Sequence, residues 1–229
     1  MFKMVLSVET DGGAGLQATS SIPANTEFHR EAPALRCPNG HPAESYEEAL
    51  QLHRACVESR FNLLPPSTQA DLRLLFALPA YNNADNEPDS YGIYQTNSVR
   101  LTGPDKADGG VFLTHCRMNH SCEPNVTHIW RSDLQMLTLI TIRDIEVGEE
   151  LYTTYGGLSG VHGMNSTKAR REHLMKEFGF HCMCSLCKAE DDKDKKADDK
   201  AKVEQWEREE QERGLVENED DLIYVMNGL

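Results

Sequence analysis

Three stretches decide how this chain folds: Asn119-His120-Ser121-Cys122-Glu123-Pro124-Asn125, Gly148-Glu149-Glu150-Leu151-Tyr152-Thr153-Thr154-Tyr155, and Phe178-Gly179-Phe180-His181-Cys182-Met183-Cys184-Ser185-Leu186-Cys187. The first is too dense in side-chain hydrogen-bonding groups for a plain turn. Polar groups taken from water need partners, so it is either a surface loop or a ligand cradle. The second is an acidic turn running into a short β-rich segment; on pattern alone, Tyr155 at its end is a half-buried strand residue. The third sets thiols in a C-x-C-x-x-C array. Thiolates so spaced bind one zinc, but tetrahedral closure takes a fourth ligand. The residues alone leave Cys122, Cys116, His181, His173 and Cys37 as candidates. In a reducing compartment such an array reads as a metal site rather than a disulfide framework.

Outward from these stretches, the pattern is β-rich with helices inserted. Residues 1–36 read as strands and turns, with DGGAGLQA at 11–18 marking a glycine turn ahead of Leu16 and Ala18. From 44 to 79 the character changes. Ser45 caps a helix that sets Ala49, Leu52, Cys56 and Val57 at helical spacing; Pro65-Pro66 break it, and Ser67 caps a second helix closed by Pro79. Residues 81–92 read as loop. Period two returns from 93 to 155, with strands at VTHIW (126–130) and LQMLTLITI (134–142). A flexible loop is expected from Gly156 to Gly163, then a helix over 166–178 stopped by Gly179. Regular βαβ alternation is missing, which argues against a Rossmann-type sheet. Past Cys187 the chain turns low-complexity and mixed in charge, a solvated helix or a disordered linker, before the apolar LIYVMNGL at 222–229.

With 229 residues the chain has room for one domain and an appendage. A net charge of −14 argues against direct nucleic-acid binding, which needs a basic face, and suits a basic protein partner instead. The opening residues lack the apolar run of a signal peptide, and no stretch approaches a membrane span. An intracellular protein with no membrane partner is expected, and a monomer. The KDKK at 193–196 is too diluted by aspartates to decide between nucleus and cytoplasm.

Taken in order, N-H-S-C-x-P-N, G-E-E-L-x-x-x-Y and C-x-C-x-x-C resemble the SET-domain lysine methyltransferases. Arg171 to Phe180, reading R-x-x-L-x-x-x-F-G-F, is similar to the SET-and-MYND subfamily. Gly13-Ala14-Gly15-Leu16-Gln17-Ala18 resembles that family's opening G-x-G-L-x-A, and Asn97-Ser98 its N-S element. The resemblance spans residues 10–187. Residues 37–80 hold only Cys37 and Cys56, too few for the MYND finger, so the chain resembles the shorter MYND-less relatives found among fungi.

The resemblance implies an α+β, β-rich SET fold: short sheets around a knot-like core, with a SET domain over 1–156 carrying a helical insertion at 44–80. A zinc-binding post-SET segment over 157–187 and a charged helix or linker over 188–229 would follow. It implies transfer of methyl groups from S-adenosylmethionine to lysine side chains of a protein substrate, histones among the candidates, and one structural zinc ion. It assigns Tyr155 as the catalytic tyrosine. Gly13, Ala14, Gly15, Leu16, Asn97, Asn119, His120, Tyr155 and Phe180 would bind the cofactor, Phe180 as a platform for adenine. Phe178 and Val99 would line the lysine channel. Cys122 would be the fourth zinc ligand beside Cys182, Cys184 and Cys187. Arg117 stands where the family has an apolar residue, and Val99 where an aromatic is common; both leave substrate and product number open. The competing reading is a non-catalytic, zinc-stabilised SET module that recruits partners.

Overall fold

The computed structural model describes residues 4–10, 13–156 and 164–212. The loop expected up to Gly163 (beyond Gly156) and the apolar segment 222–229 lie outside the described residues. The chain forms two compact units, Met1–Cys182 and Met183–Leu229.

In the first unit, strand β1 (Met4–Thr10) returns antiparallel as β2 (Gly13–Ala18). β2 pairs antiparallel with β10 (Glu150–Thr153), placing Leu16 opposite Leu151. On its other edge β10 runs parallel to the short β7 (Asn119–His120), with Tyr152 opposite Asn119 and Thr153 opposite His120. Parallel neighbours cannot be joined by a tight turn. Here the chain leaves β7, makes the hairpin of β8 (Val126–Arg131) and β9 (Met136–Thr141), and returns to the sheet as β10. That excursion brings the first two decisive stretches side by side. β9 also pairs with β3 (Glu27–Glu31), and a third sheet orders β4 (Leu35–Pro38), β6 (Asp108–Val111) and β5 (Val99–Arg100).

Two apolar clusters hold this unit. One gathers Leu16, Phe112, Met118, Trp130, Leu139 and Leu151 between the first two sheets; the other gathers Leu35, Val57, Phe61, Leu72, Tyr94 and Val111 under the insertion. Burying a side chain of this size contributes about 1.5–3 kcal/mol.

Helix α1 (Tyr46–Asn62) begins as its sequence dictates, with Ser45 Oγ accepting the Glu48 N–H at 3.1 Å. α2 (Pro66–Arg73) starts one residue before the expected Ser67 cap, at a proline whose missing N–H costs nothing in a first turn. The clearest departure is α3 (Ser90–Asn97), where a loop to 92 and then β pattern were expected. Asp89 caps it through the Gly92 N–H at 2.7 Å, and Tyr91, Ile93 and Tyr94 sink into the second cluster; burial overrides local preference. α4 (Thr167–Phe178) is capped by Ser166 and ended by Gly179 at φ 75°. In the second unit, α5 (Ser185–Glu212) is a helix throughout rather than a linker, with Lys200 and Glu204 paired at 3.6 Å on its exposed side. Among the described residues no helix is long and apolar enough to cross a membrane.

Candidate active site

Tyr155, just past β10, is tied to the β7 segment at both ends. Its backbone N–H donates to His120 Nδ1 at 3.0 Å, and its hydroxyl donates to the Met118 carbonyl at 3.0 Å. Because Nδ1 accepts, the His120 ring carries its proton on Nε2, which sits 3.4 Å from Cys122 Sγ and donates to that sulfur. Burial first, then the neighbouring Cys116 and Glu150, pushes the Tyr155 hydroxyl up to about 12. It is therefore a neutral phenol at physiological pH. With its proton engaged by Met118, its oxygen lone pairs remain as acceptors.

Rings enclose this hydroxyl-bearing side chain. The centroid of Tyr155 lies 5.3 Å from His120, 5.2 Å from Phe178 and 6.0 Å from Phe180, and Phe180 lies 5.7 Å from His120. α4 positions both phenylalanines: Phe178 is its last residue, and Gly179 turns the chain in a left-handed conformation that a side chain would strain.

The two glutamates of the Gly-Glu-Glu turn divide their work. Glu149 pairs with Arg143 and accepts from Asn125 Nδ2 and the Glu146 N–H, fixing the turn; the Arg143 contact holds its carboxyl below the usual range. Glu150 belongs to the site. One of its oxygens accepts from Asn119 Nδ2 at 2.7 Å and the other from the Tyr152 hydroxyl at 2.7 Å. Gly15 on β2 adjoins this pair so closely that a Cβ there would fall 2.3 Å from Glu150 Oε1 and 2.8 Å from Asn119 Nδ2.

Other sequence candidates have different neighbours. Leu16 is core, opposite Leu151. Gly13 and Ala14 lie in β2, and the Ala14 side chain is not among the described ones. Asn97 donates both amide hydrogens, to the carbonyls of Phe76 and Ile93, while its own carbonyl accepts from Cys116 Sγ at 3.2 Å. Val99 packs against the first apolar cluster. Sequence reasoning passed over Glu150, Tyr152 and the Met118 carbonyl. The available signal was strand alternation, which sets Glu150 and Tyr152 on one face of β10, with Leu151 and Thr153 buried on the other.

The thiol sulfurs of Cys122, Cys182, Cys184 and Cys187 lie within 4.8 Å of one another. Cys122 and Cys182 are 3.8 Å apart. That is too long for a disulfide, but it is the edge of a tetrahedron with zinc–sulfur bonds of about 2.3 Å. The four donors are cysteine sulfurs, mostly buried, so this group can hold a metal ion, and the His120 N–H rests on the Cys122 sulfur. Cys116 lies outside the group; burial pushes its thiol up to about 12.

A family model described as SET domain matches residues 13–156. This chain is a SET-domain protein. Its relatives include histone-lysine N-methyltransferase set5 of Schizosaccharomyces pombe, 34% identical over 187 residues, which cover 82% of this chain and 51% of that protein. A second is histone-lysine N-methyltransferase SET5 of Yarrowia lipolytica, 37% identical over 100 residues, 44% of this chain and 20% of that one. A third is human histone-lysine N-methyltransferase SMYD3, 29% identical over 167 residues, 67% of this chain and 37% of that one. This SET-domain chain thus spans about half the length of the S. pombe relative and a smaller share of the others. The expected fold stands: a SET domain of small sheets and helices, mixed α and β, related to the set5 and SMYD3 proteins.

Proposed function

We propose that this SET-domain chain transfers methyl groups from S-adenosylmethionine to lysine side chains of proteins, with basic proteins such as histones as the substrates to test first. The observation that carries the reading is the neutral Tyr155 hydroxyl, fixed by Met118 and walled by Phe178, Phe180 and His120. When bound, S-adenosylmethionine supplies a methyl group activated on a sulfonium.

The residues supply alignment and a dry environment. A lysine ammonium entering an aromatic channel loses solvation, and burial favours its neutral, nucleophilic form. The lone pairs of Tyr155 then accept an amine N–H and hold the nitrogen in line, the arrangement from which large rate enhancements arise. A phenol held near 12 does not serve as a base at neutral pH. Asn119 and His120 would hold the cofactor's amino-acid and adenine parts, the Gly13–Leu16 strand would let backbone approach it, and Phe180 would stack on its flat ring. Cys122, Cys182, Cys184 and Cys187 would hold one structural zinc, making 157–187 a post-SET segment behind the 1–156 SET domain. The net charge of −14 favours encounter with basic substrates.

The test is incubation with methyl-labelled cofactor and a panel of basic proteins, histones included. Label on lysine establishes the activity. Cofactor binding without label on any protein substrate would leave a binding module instead.

A further inference from the structure

The Tyr155 hydroxyl takes its direction from one acceptor, the Met118 carbonyl at 3.0 Å. That carbonyl stands at the end of a single tight turn. The Arg117 N–H donates to the Thr114 carbonyl and the Met118 N–H to the His115 carbonyl, each at 3.1 Å. Turns of this 3-10 kind are short and their hydrogen bonds poorly aligned. Their leading N–H groups find no partner within the turn. Here those of Thr114 and His115 are met from a different sheet. Glu31, the last residue of β3, accepts the Thr114 N–H on Oε2 at 2.9 Å and the His115 N–H on Oε1 at 2.8 Å. Two adjacent donors need an acceptor on each terminal atom, which a carboxylate has and an amide has not. The strand that carries Glu31 is firm: the residue stands opposite the buried Leu137 of β9, and its own side chain is only 13% exposed.

We infer that Glu31 is a positioning residue for methyl transfer: by clamping the start of the 114–118 turn it places the Met118 carbonyl, and through it the lone pairs that Tyr155 offers the substrate amine. The inference rests on the methyltransferase reading and deepens it. With the turn unclamped the carbonyl drifts and the hydroxyl follows it. A misplacement of about 1 Å, caused far from the chemistry, costs about a hundredfold in rate. A residue that serves only the fold slows the reaction by the same factor whatever side chain stands at 155. A residue that acts through the hydroxyl matters only while the hydroxyl is there.

A double-mutant cycle on the full chain reads that difference. Its members are the wild type, Glu31→Gln, Tyr155→Phe and the double variant. Each is followed by its single-turnover rate with methyl-labelled S-adenosylmethionine and a basic protein that the wild type labels. Glu31→Gln turns an NH2 group toward one of the two backbone N–H donors. It should lower the rate about 10- to 100-fold while cofactor affinity by calorimetry stays within about threefold. In the Tyr155→Phe background the same change should lower the rate by less than about threefold. Glu31→Asp, whose shorter arm cannot span both donors, carries the same cycle should Glu31→Gln not fold. An equal loss of rate in both backgrounds overturns the inference. So does a rate within about threefold of wild type in the folded single variant, or a fall in cofactor affinity as large as the fall in rate. A wild type that binds the cofactor and labels no protein overturns the methyltransferase reading, and this inference with it.

Discussion

Replacing Tyr155 by Phe removes one oxygen and leaves the ring in place, so its two consequences can be measured apart. The hydroxyl donates to the carbonyl of Met118, a residue only 1% exposed. Taking the donor from a buried carbonyl costs about 1–2 kcal/mol. For a chain of this size that lowers the melting temperature by roughly 2–8 °C. No cavity opens, because the ring still meets His120, Phe178 and Phe180. The effect on catalysis should be larger. Losing one preorganised hydrogen-bonding group at a reacting centre costs about a hundredfold, near 2.7 kcal/mol of barrier. Single-turnover rates with labelled cofactor read the second effect, differential scanning fluorimetry the first, and calorimetry checks that cofactor affinity holds. Turnover within a factor of about three of wild type would refute the proposed role of the hydroxyl. A parallel collapse of cofactor affinity would show that Tyr155 serves the fold of the site instead.

Cys184→Ser should release zinc and, with it, methyl transfer; metal analysis finding full occupancy in that variant would sink the four-thiolate assignment of Cys122, Cys182, Cys184 and Cys187. In Gly15→Ala the atoms in the way are the ends of two side chains rather than backbone, so the melting temperature should change little while cofactor affinity falls about tenfold or more; intact affinity would show that the Asn119–Glu150 geometry does not matter for binding. Stability should fall with acid through the buried pair in which His115 Nε2 meets His128 Nδ1 at 3.1 Å. Burial, with His128 adding to it, holds His115 down to about 3 in the fold, whereas the unfolded chain takes up its proton near pH 6.5. The neutral histidine costs nothing above about pH 6.5, and the fold loses about 2 kcal/mol from this residue by pH 5. Urea midpoints at saturating zinc that are flat from pH 8 to pH 5 would contradict this.

Much of the local structure was legible because its causes are local. Ser45 and Ser166 each accept an N–H three residues on, Gly179 takes the left-handed conformation, and β8 alternates as written, whereas in β9 Thr138 is buried as fully as Leu137 and Leu139. These features depend on a few neighbouring residues, and the sequence displays them together. It also displayed the three thiols of Cys182, Cys184 and Cys187, since a short spacing needs no fold to interpret.

What the tertiary structure decided is everything that depends on segments meeting. α3 exists because the second apolar cluster receives Tyr91, Ile93 and Tyr94, a gain absent from any window of sequence. Cys122 was one of several candidates by its residue type; the return of the chain after the β8–β9 hairpin is what sets its sulfur 3.8 Å from that of Cys182. Glu150 reads as half of an acidic turn until β7 and β2 come beside it. Only then do Asn119, Tyr152 and Gly15 give its carboxylate a direction. A spacing along the chain can state which donors and acceptors are available, but whether an acceptor faces a donor is fixed by distance in three dimensions, and hydrogen bonds act only across about 3 Å.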